Sequence, residues 1–147
     1  MKVLLTGGAG CLGSNITEFL APISERVVII DNFATGKLAS IPDAGVVEVV
    51  EGSVTDSPLV EDIFSSLKPD LVIHGAASYK DPNDWYTDAN TNVVGSILIA
   101  RACERVGCFS TGQPANSSLL RNTQGHSDTC RSPDGANYEL WHHQDGW

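Results

Sequence analysis

Four short apolar runs punctuate the first three-quarters of the chain, at residues 2–5, 27–30, 46–50 and 71–74. Each is continuously apolar rather than alternating, the pattern of strands covered on both faces, as in a parallel sheet. Between the runs, apolar positions recur at helical spacing near residues 15–20, 58–67 and 88–106. Ser57-Pro58 marks a helix start, a capping residue followed by a first-turn proline, and Lys68-Pro69 marks its end. Strands that alternate with helices predict an α/β fold on a doubly wound parallel sheet.

The pattern stops after Cys108. Val and Ile occur twenty-two times up to that residue and never in the thirty-nine that follow. The later segment is rich in Ser, Asn, Gln, Gly and Thr, with neither period 2 nor period 3.6, and is too poor in apolar residues to bury a core. Residues 1–108 are therefore expected to form the folded unit, truncated after about four strands. Residues 109–147 are expected to form an irregular, disordered tail.

The turn after the first strand carries the chemistry. It reads Thr6-Gly7-Gly8-Ala9-Gly10-Cys11-Leu12-Gly13 and opens into a helix. The early glycines permit a tight turn, Gly10 lets backbone approach a pyrophosphate, and Gly13 lets helix pack closely on strand. The helix beyond presents unpaired N–H groups and its positive end to phosphate. The second apolar run ends in Asp31, about 20 residues past the glycines, where a ribose-binding acid belongs in such a unit. A carboxylate there accepts hydrogen bonds from ribose hydroxyls and repels a 2′-phosphate, so the expected cofactor is NAD rather than NADP.

Charge and cysteine usage narrow the partners. Nine basic against eighteen acidic residues leave a net charge of −9, which disfavours nucleic acid and anionic membrane. No apolar run reaches the length of a membrane span and the N-terminus leads directly into a strand, so the cytoplasm is the expected location. Cys11, Cys103, Cys108 and Cys130 have no metal-ligand spacing and read as reduced thiols. His126, Cys130, His142 and His143 likewise fit no compact zinc pattern, and no metal site is expected.

Residues 1–108 resemble the extended short-chain dehydrogenase/reductase family, specifically its NAD-dependent nucleotide-sugar epimerases and dehydratases of the UDP-glucose 4-epimerase type. The glycine loop matches, as does Asp31-Asn32-Phe33-Ala34-Thr35-Gly36, which in that branch binds the adenosine ribose. Glu51-Gly52-Ser53-Val54-Thr55-Asp56 is similar to the adenine-edge loop, with Ser53 where the family more often has Asp. His74-Gly75-Ala76-Ala77 resembles the turn beside the nicotinamide ribose, and Asn92-Val93-Val94-Gly95 matches a helix motif whose Asn lies near the cofactor. The resemblance implies a Rossmann-type sheet, NAD as cofactor and an NDP-sugar as substrate. It implies a cofactor site of Gly7, Gly10, Cys11, Leu12, Gly13, Asp31, Asn32, Phe33, Gly36, Ser53, Val54, Ala76, Ala77 and Asn92.

One part of the family pattern is missing. Its members continue into a strand bearing Ser or Thr and then a Tyr-x-x-x-Lys helix, whose tyrosine is the acid/base for the sugar hydroxyl. Here Tyr138 is followed four residues on by His142, and no lysine follows Lys80. No catalytic residue is assigned, and the homodimer that relatives build partly on that helix is in doubt for this chain. Read one nucleotide later, residues 139–147 can encode Ser-Tyr-Gly-Ile-Thr-Lys-Met-Ala, and residues 115–121 can encode Gln-Thr followed by Leu-Cys-Tyr-Gly. The tail is thus expected to be a frameshifted reading of an epimerase or dehydratase gene, which resequencing decides. Two functions follow: the NAD-binding fragment of such an enzyme, or a non-catalytic nucleotide-binding module.

Overall fold

In a computed structural model that describes residues 1–112, five parallel strands form one sheet in the order β3-β2-β1-β4-β5. They are β1 (Lys2–Thr6), β2 (Arg26–Asp31), β3 (Val47–Glu51), β4 (Leu71–His74) and β5 (Phe109–Gly112). The register runs Leu5 beside Ile29 on one side and beside Ile73 on the other, so β1 is central. Parallel neighbours need crossovers, supplied by the helices α1 (Cys11–Leu20), α2 (Ser57–Leu67), α3 (Trp85–Ala89) and α4 (Ser96–Val106), and between β2 and β3 by a loop with a single 3-10 turn, Leu38–Ser40. The four apolar runs are therefore strands, and the doubly wound parallel sheet is present.

Alternation along the buried strands divides the core in two. Leu4, Val28, Ile30 and Val72 point to one face and pack with Val60, Phe64 and Leu67 of α2 and Ile99 and Ala102 of α4. Val3, Leu5, Val27 and Ile29 point to the other, where Leu20 and Ile16 of α1 meet them. Fully burying a side chain the size of Leu or Phe stabilises by about 1.5–3 kcal/mol, so β1 and β2 form the rigid centre on which the loops stand.

Three local features depart from the expectations. β5 adds a strand beyond Cys108, with Ile73 paired to Thr111 and His74 to Gly112. Its Ser-Thr-Gly content lacks the branched apolar run that marks a strand, and pairing with β4 supplies what propensity does not. The cap of α2 is Asp56, whose side chain accepts from the Leu59 N–H at 3.1 Å, and Ser57 is the first helical residue. Finally, the helix expected over residues 88–106 is interrupted by a π-helical stretch, Asn90–Gly95, between α3 and α4. The tail reading, including Tyr138, His142 and the histidine–cysteine set around Cys130, lies outside the described residues.

Candidate functional site

The order β3-β2-β1-β4-β5 makes the chain reverse direction between β1 and β4, and a crevice opens there beyond the carboxyl ends of the strands. A cavity of about 1130 Å³ fills it. Its lining takes in Gly7, Gly10, Cys11, Leu12 and Gly13 from the first loop, and Asp31 and Asn32 from the end of β2. Ser53, Val54, Ala76, Ala77 and Asn92 complete it. Twelve of the fourteen expected cofactor residues therefore meet around one space. Phe33 and Gly36, both half-buried, do not line it.

The glycines of the first loop have different physical reasons. Gly7 has φ +71°, and a Cβ there would lie 2.7 Å from the Ala76 backbone nitrogen. A Cβ on Gly8 would lie 2.6 Å from Ile29 Cγ2, and one on Gly13 would lie 2.4 Å from the Gly7 carbonyl oxygen. All three are required by the protein's own packing. At Gly10 the nearest atom is the Gly7 carbonyl oxygen at 3.4 Å. Nothing in the fold forbids a side chain at Gly10, so the space it leaves faces the cavity.

Gly10 is also the N-cap of α1, and no side chain caps it. α2, by contrast, is closed by Asp56. The first amides of α1 are thus left pointing toward the crevice, the arrangement that suits a phosphate. Cys11 and Leu12, exposed on the first turn, border this opening.

Asp31 is 8 % exposed and carries no ion-pair partner among the described residues. Its two oxygens are held by backbone: Oδ2 accepts from the Ala9 N–H at 2.9 Å and Oδ1 from the Phe33 N–H at 2.8 Å. Asn32 Oδ1 accepts in turn from the Ala34 N–H at 3.1 Å. Side chains that bond the amide two residues on build a tight turn, and this one places Phe33 at φ +54°. Such a backbone costs on the order of 1 kcal/mol in a residue other than glycine, and it persists where surrounding structure over-determines it. Gly36 supplies that restraint: it packs against Ala9, where a Cβ would lie 2.6 Å from the Ala9 Cβ. The Lys37 N–H donates to the Ala9 carbonyl at 3.2 Å. The acidic turn is therefore docked on the glycine loop.

The opposite wall is held from the π-helical stretch. Asn92 Nδ2 donates to the Ser78 carbonyl at 2.7 Å, and Asn92 Oδ1 accepts from the Ser78 N–H at 2.8 Å. Both polar atoms of that amide are engaged in positioning residues 75–78. Gly95 lets the same stretch approach Val54, whose Cγ2 would be 2.7 Å from a Cβ. Ser53 Oγ accepts from the Thr55 N–H at 3.2 Å and sets the shape of the loop that follows β3.

Residues outside the expected cofactor set also take part. Thr6 is completely buried, contacts His74 Nδ1 at 2.7 Å and accepts from the Gly75 and Ala76 N–H groups. Ser96 lies 3.0 Å from His74 Nε2. Thr91, Tyr79 and Lys80 line the cavity mouth.

Burial pushes the His74 imidazole below its ordinary value of 6.5. The unfolded chain takes up a proton near that pH and the folded chain does so only at lower pH, so stability rises with pH across this interval. The contribution is present above about 6.5 and is lost as pH falls through the depressed folded value. Melting temperatures measured from pH 7.5 to 5 should fall toward acid, and His74→Gln should flatten that fall. An unchanged slope in the variant would assign the acid sensitivity elsewhere.

Residues 3–120 match the sequence profile of the NAD dependent epimerase/dehydratase family. Among curated relatives, the UDP-glucose 4-epimerase of Halalkalibacterium halodurans is 35% identical over 107 residues, covering 69% of this chain and 30% of that protein. Among solved structures, the Bordetella bronchiseptica enzyme WbmG in complex with NAD superimposes with a TM-score of 0.71 at 53% identity, over 74% of this chain and 35% of that one. The same enzyme in complex with NAD and UDP gives 0.70, also at 53% identity, over 72% and 34%. The chain spans about a third of the length of the relatives it matches. Among the described residues, no helix is long and apolar enough to cross a membrane, and no cluster of metal-ligating side chains is present.

Proposed function

From the premise that this chain belongs to the NAD-dependent epimerase/dehydratase family, we propose that it is the NAD-binding part of a nucleotide-sugar epimerase or dehydratase. The observation that carries the proposal is the open space at Gly10, in a loop whose other glycines are required by packing. A dinucleotide fits the donors around it. The uncapped amides of α1 would hold the pyrophosphate, Asp31 the adenosine ribose, Ser53 and Val54 the adenine edge, and Ala76 and Ala77 the nicotinamide ribose. NAD, when bound, supplies a hydride acceptor for a sugar carbon.

This chain's own residues do three things: they bind, they orient and they select. Asp31 is already aimed by the Ala9 and Phe33 amides, so its free lone pairs face ribose hydroxyls without reorganisation. It would also stand against a 2′-phosphate, and a buried like-charge contact is costly. Calorimetric titration should therefore give at least about tenfold tighter binding of NAD than of NADP, roughly 1.4 kcal/mol. Asp31→Asn should erase most of that preference and weaken NAD, because one of two backbone N–H groups then faces an amide donor. Equal affinity of the unaltered chain for both dinucleotides would remove the selective role of Asp31.

A second reading, a nucleotide-binding module without turnover, is favoured by one sequence observation: Tyr138 is followed by His142 where the family has lysine. The two readings share the cofactor site and differ only in activity toward UDP- or dTDP-sugars. Binding without turnover would support the second. The frameshift reading of residues 109–147 belongs with it.

A further inference from the structure

A ring of hydrogen bonds joins the glycine-loop strand to the π-helical stretch, and counting protons gives it a direction. Thr6 Oγ1 receives the Ala76 N–H at 3.2 Å and shares the Gly75 N–H, also at 3.2 Å, with the Thr6 carbonyl oxygen, which takes it at 2.9 Å. A hydroxyl has two lone pairs and one hydrogen. With the Ala76 N–H and the shared Gly75 N–H on its lone pairs, the Thr6 hydrogen is the one that lies on the 2.7 Å contact with His74 Nδ1. That ring nitrogen must then be bare, and the single proton of a neutral imidazole sits on Nε2. It points at Ser96 Oγ, 3.0 Å away. The Ser96 hydrogen is committed to the Asn92 carbonyl at 2.7 Å, so Ser96 Oγ meets the ring only as an acceptor, which independently places the ring proton on Nε2. Every donor runs one way, from Thr6 through His74 and Ser96 to Asn92.

Asn92 closes the ring, because its side-chain amide grips both the N–H and the carbonyl of Ser78. The wall at residues 75–78 is thus tied at its start to Thr6 and at its end to Asn92, with His74 between the two anchors. We propose that His74 is a positioning residue, fixed as the neutral Nε2–H tautomer, that sets this wall against the glycine loop and so shapes the nicotinamide end of the cavity. A ring carrying its proton on Nδ1 would meet the Thr6 hydrogen head-on. Thr6 could then keep the contact only by loosening its hold on the Ala76 N–H or on its share of the Gly75 N–H, and the wall would lose part of an anchor. The effect on cofactor rests on the NAD reading above; the state of the ring does not.

The test begins with the ring. In the 15N-labelled full chain at pH 7.5 without cofactor, long-range 1H–15N correlation should place His74 Nδ1 at the unprotonated extreme and Nε2 at the protonated one. The His74 signals are identified by their loss in His74→Gln. A protonated Nδ1, or averaged shifts for the two nitrogens, would overturn the proposal. Thr6→Ser keeps the hydroxyl and should reproduce the pattern, whereas Thr6→Val removes the donor, leaves Ser96 alone to hold the proton on Nε2 and should move the two nitrogen shifts toward one another. If Thr6→Val does not fold, Ser96→Ala remains: Thr6 still imposes the tautomer, but the link to Asn92 is cut. NAD affinity should then fall about fivefold, the net worth of one hydrogen bond, and Ser96→Thr should recover it. Unchanged affinity in Ser96→Ala would show that the wall stands without the ring. Failure of the unaltered chain to bind NAD would count against the cofactor reading, and the tautomer measurement would still decide this one.

Discussion

Replacing Gly13 by alanine is expected to cost the chain about 3 kcal/mol or more of stability, enough to abolish a cooperative melt. The added Cβ would stand 2.4 Å from the Gly7 carbonyl oxygen and 2.5 Å from the Gly8 Cα, both backbone atoms in a turn that cannot swing aside. Gly7 is itself pinned, because its φ of +71° and its approach to Gly75 leave one conformation. Overpacking that only shifts side chains costs about 1–3 kcal/mol. Here the strand-to-helix turn or the whole of α1 must move. Moving α1 would uncover Leu5 and Ile29 on the face where Leu20 packs. Total stabilities of roughly 0.05–0.15 kcal/mol per residue leave little reserve against such a loss. Thermal unfolding followed by circular dichroism checks it. A Gly13→Ala chain that melts within a degree or two of the original would mean that the turn is looser than its packing indicates.

Replacing Gly10 by alanine is expected to do the reverse, sparing the fold and removing the ligand. The nearest protein atom to the new methyl would be 3.4 Å away, an ordinary contact. Gly10 has φ −76° and ψ 169°, which any residue adopts, so no backbone strain is added. The methyl would occupy the space in front of the uncapped first turn of α1, where a pyrophosphate has to come against backbone amides. An intrusion of 1–3 kcal/mol on the bound state alone corresponds to about a 5- to 150-fold loss of NAD affinity. The melting temperature without ligand should stay within a degree or two. The contrast between the two glycines is the useful quantity, since one variant fails by folding and the other by binding.

Much of this arrangement could be read in the sequence, for identifiable reasons. The strands β1, β2 and β4 are short branched apolar runs that leave no helical alternative, and the glycine loop with Asp31 announces the crevice. β5 escaped because Phe109–Gly112 takes its strand character from pairing with β4 rather than from its own residues. The cap of α2 was placed one residue late because Ser57 before Pro58 is as good a signal as Asp56, and only the 3.1 Å bond to the Leu59 amide separates them. The π-helical stretch could not be foreseen, since Asn90–Gly95 carries no period that distinguishes it from ordinary helix.

The cavity lining was legible as a set of residues but not as a division of labour. Phe33 and Gly36 resemble cofactor contacts in the motif, and in the fold they also support the acidic turn: Phe33 gives its N–H to Asp31, and Gly36 packs on Ala9. Asn92 borders the cavity, but its amide is spent on Ser78. Thr6, His74 and Ser96 meet across separations of 68 and 22 residues, and contacts at such distances leave no period in the chain. Nor does a glycine announce whether the protein or a ligand requires it; only the surroundings of Gly10 and Gly13 tell them apart.

The central claim is that these 147 residues carry an NAD site built around the space at Gly10. Isothermal titration of NAD into the unaltered chain and into Gly10→Ala, each first shown by its melt to be folded, tests it most directly. The account predicts saturable one-site binding to the unaltered chain and at least about fivefold weaker binding to the variant. A folded chain that takes up no NAD, or one that binds it equally well with alanine at Gly10, would contradict it.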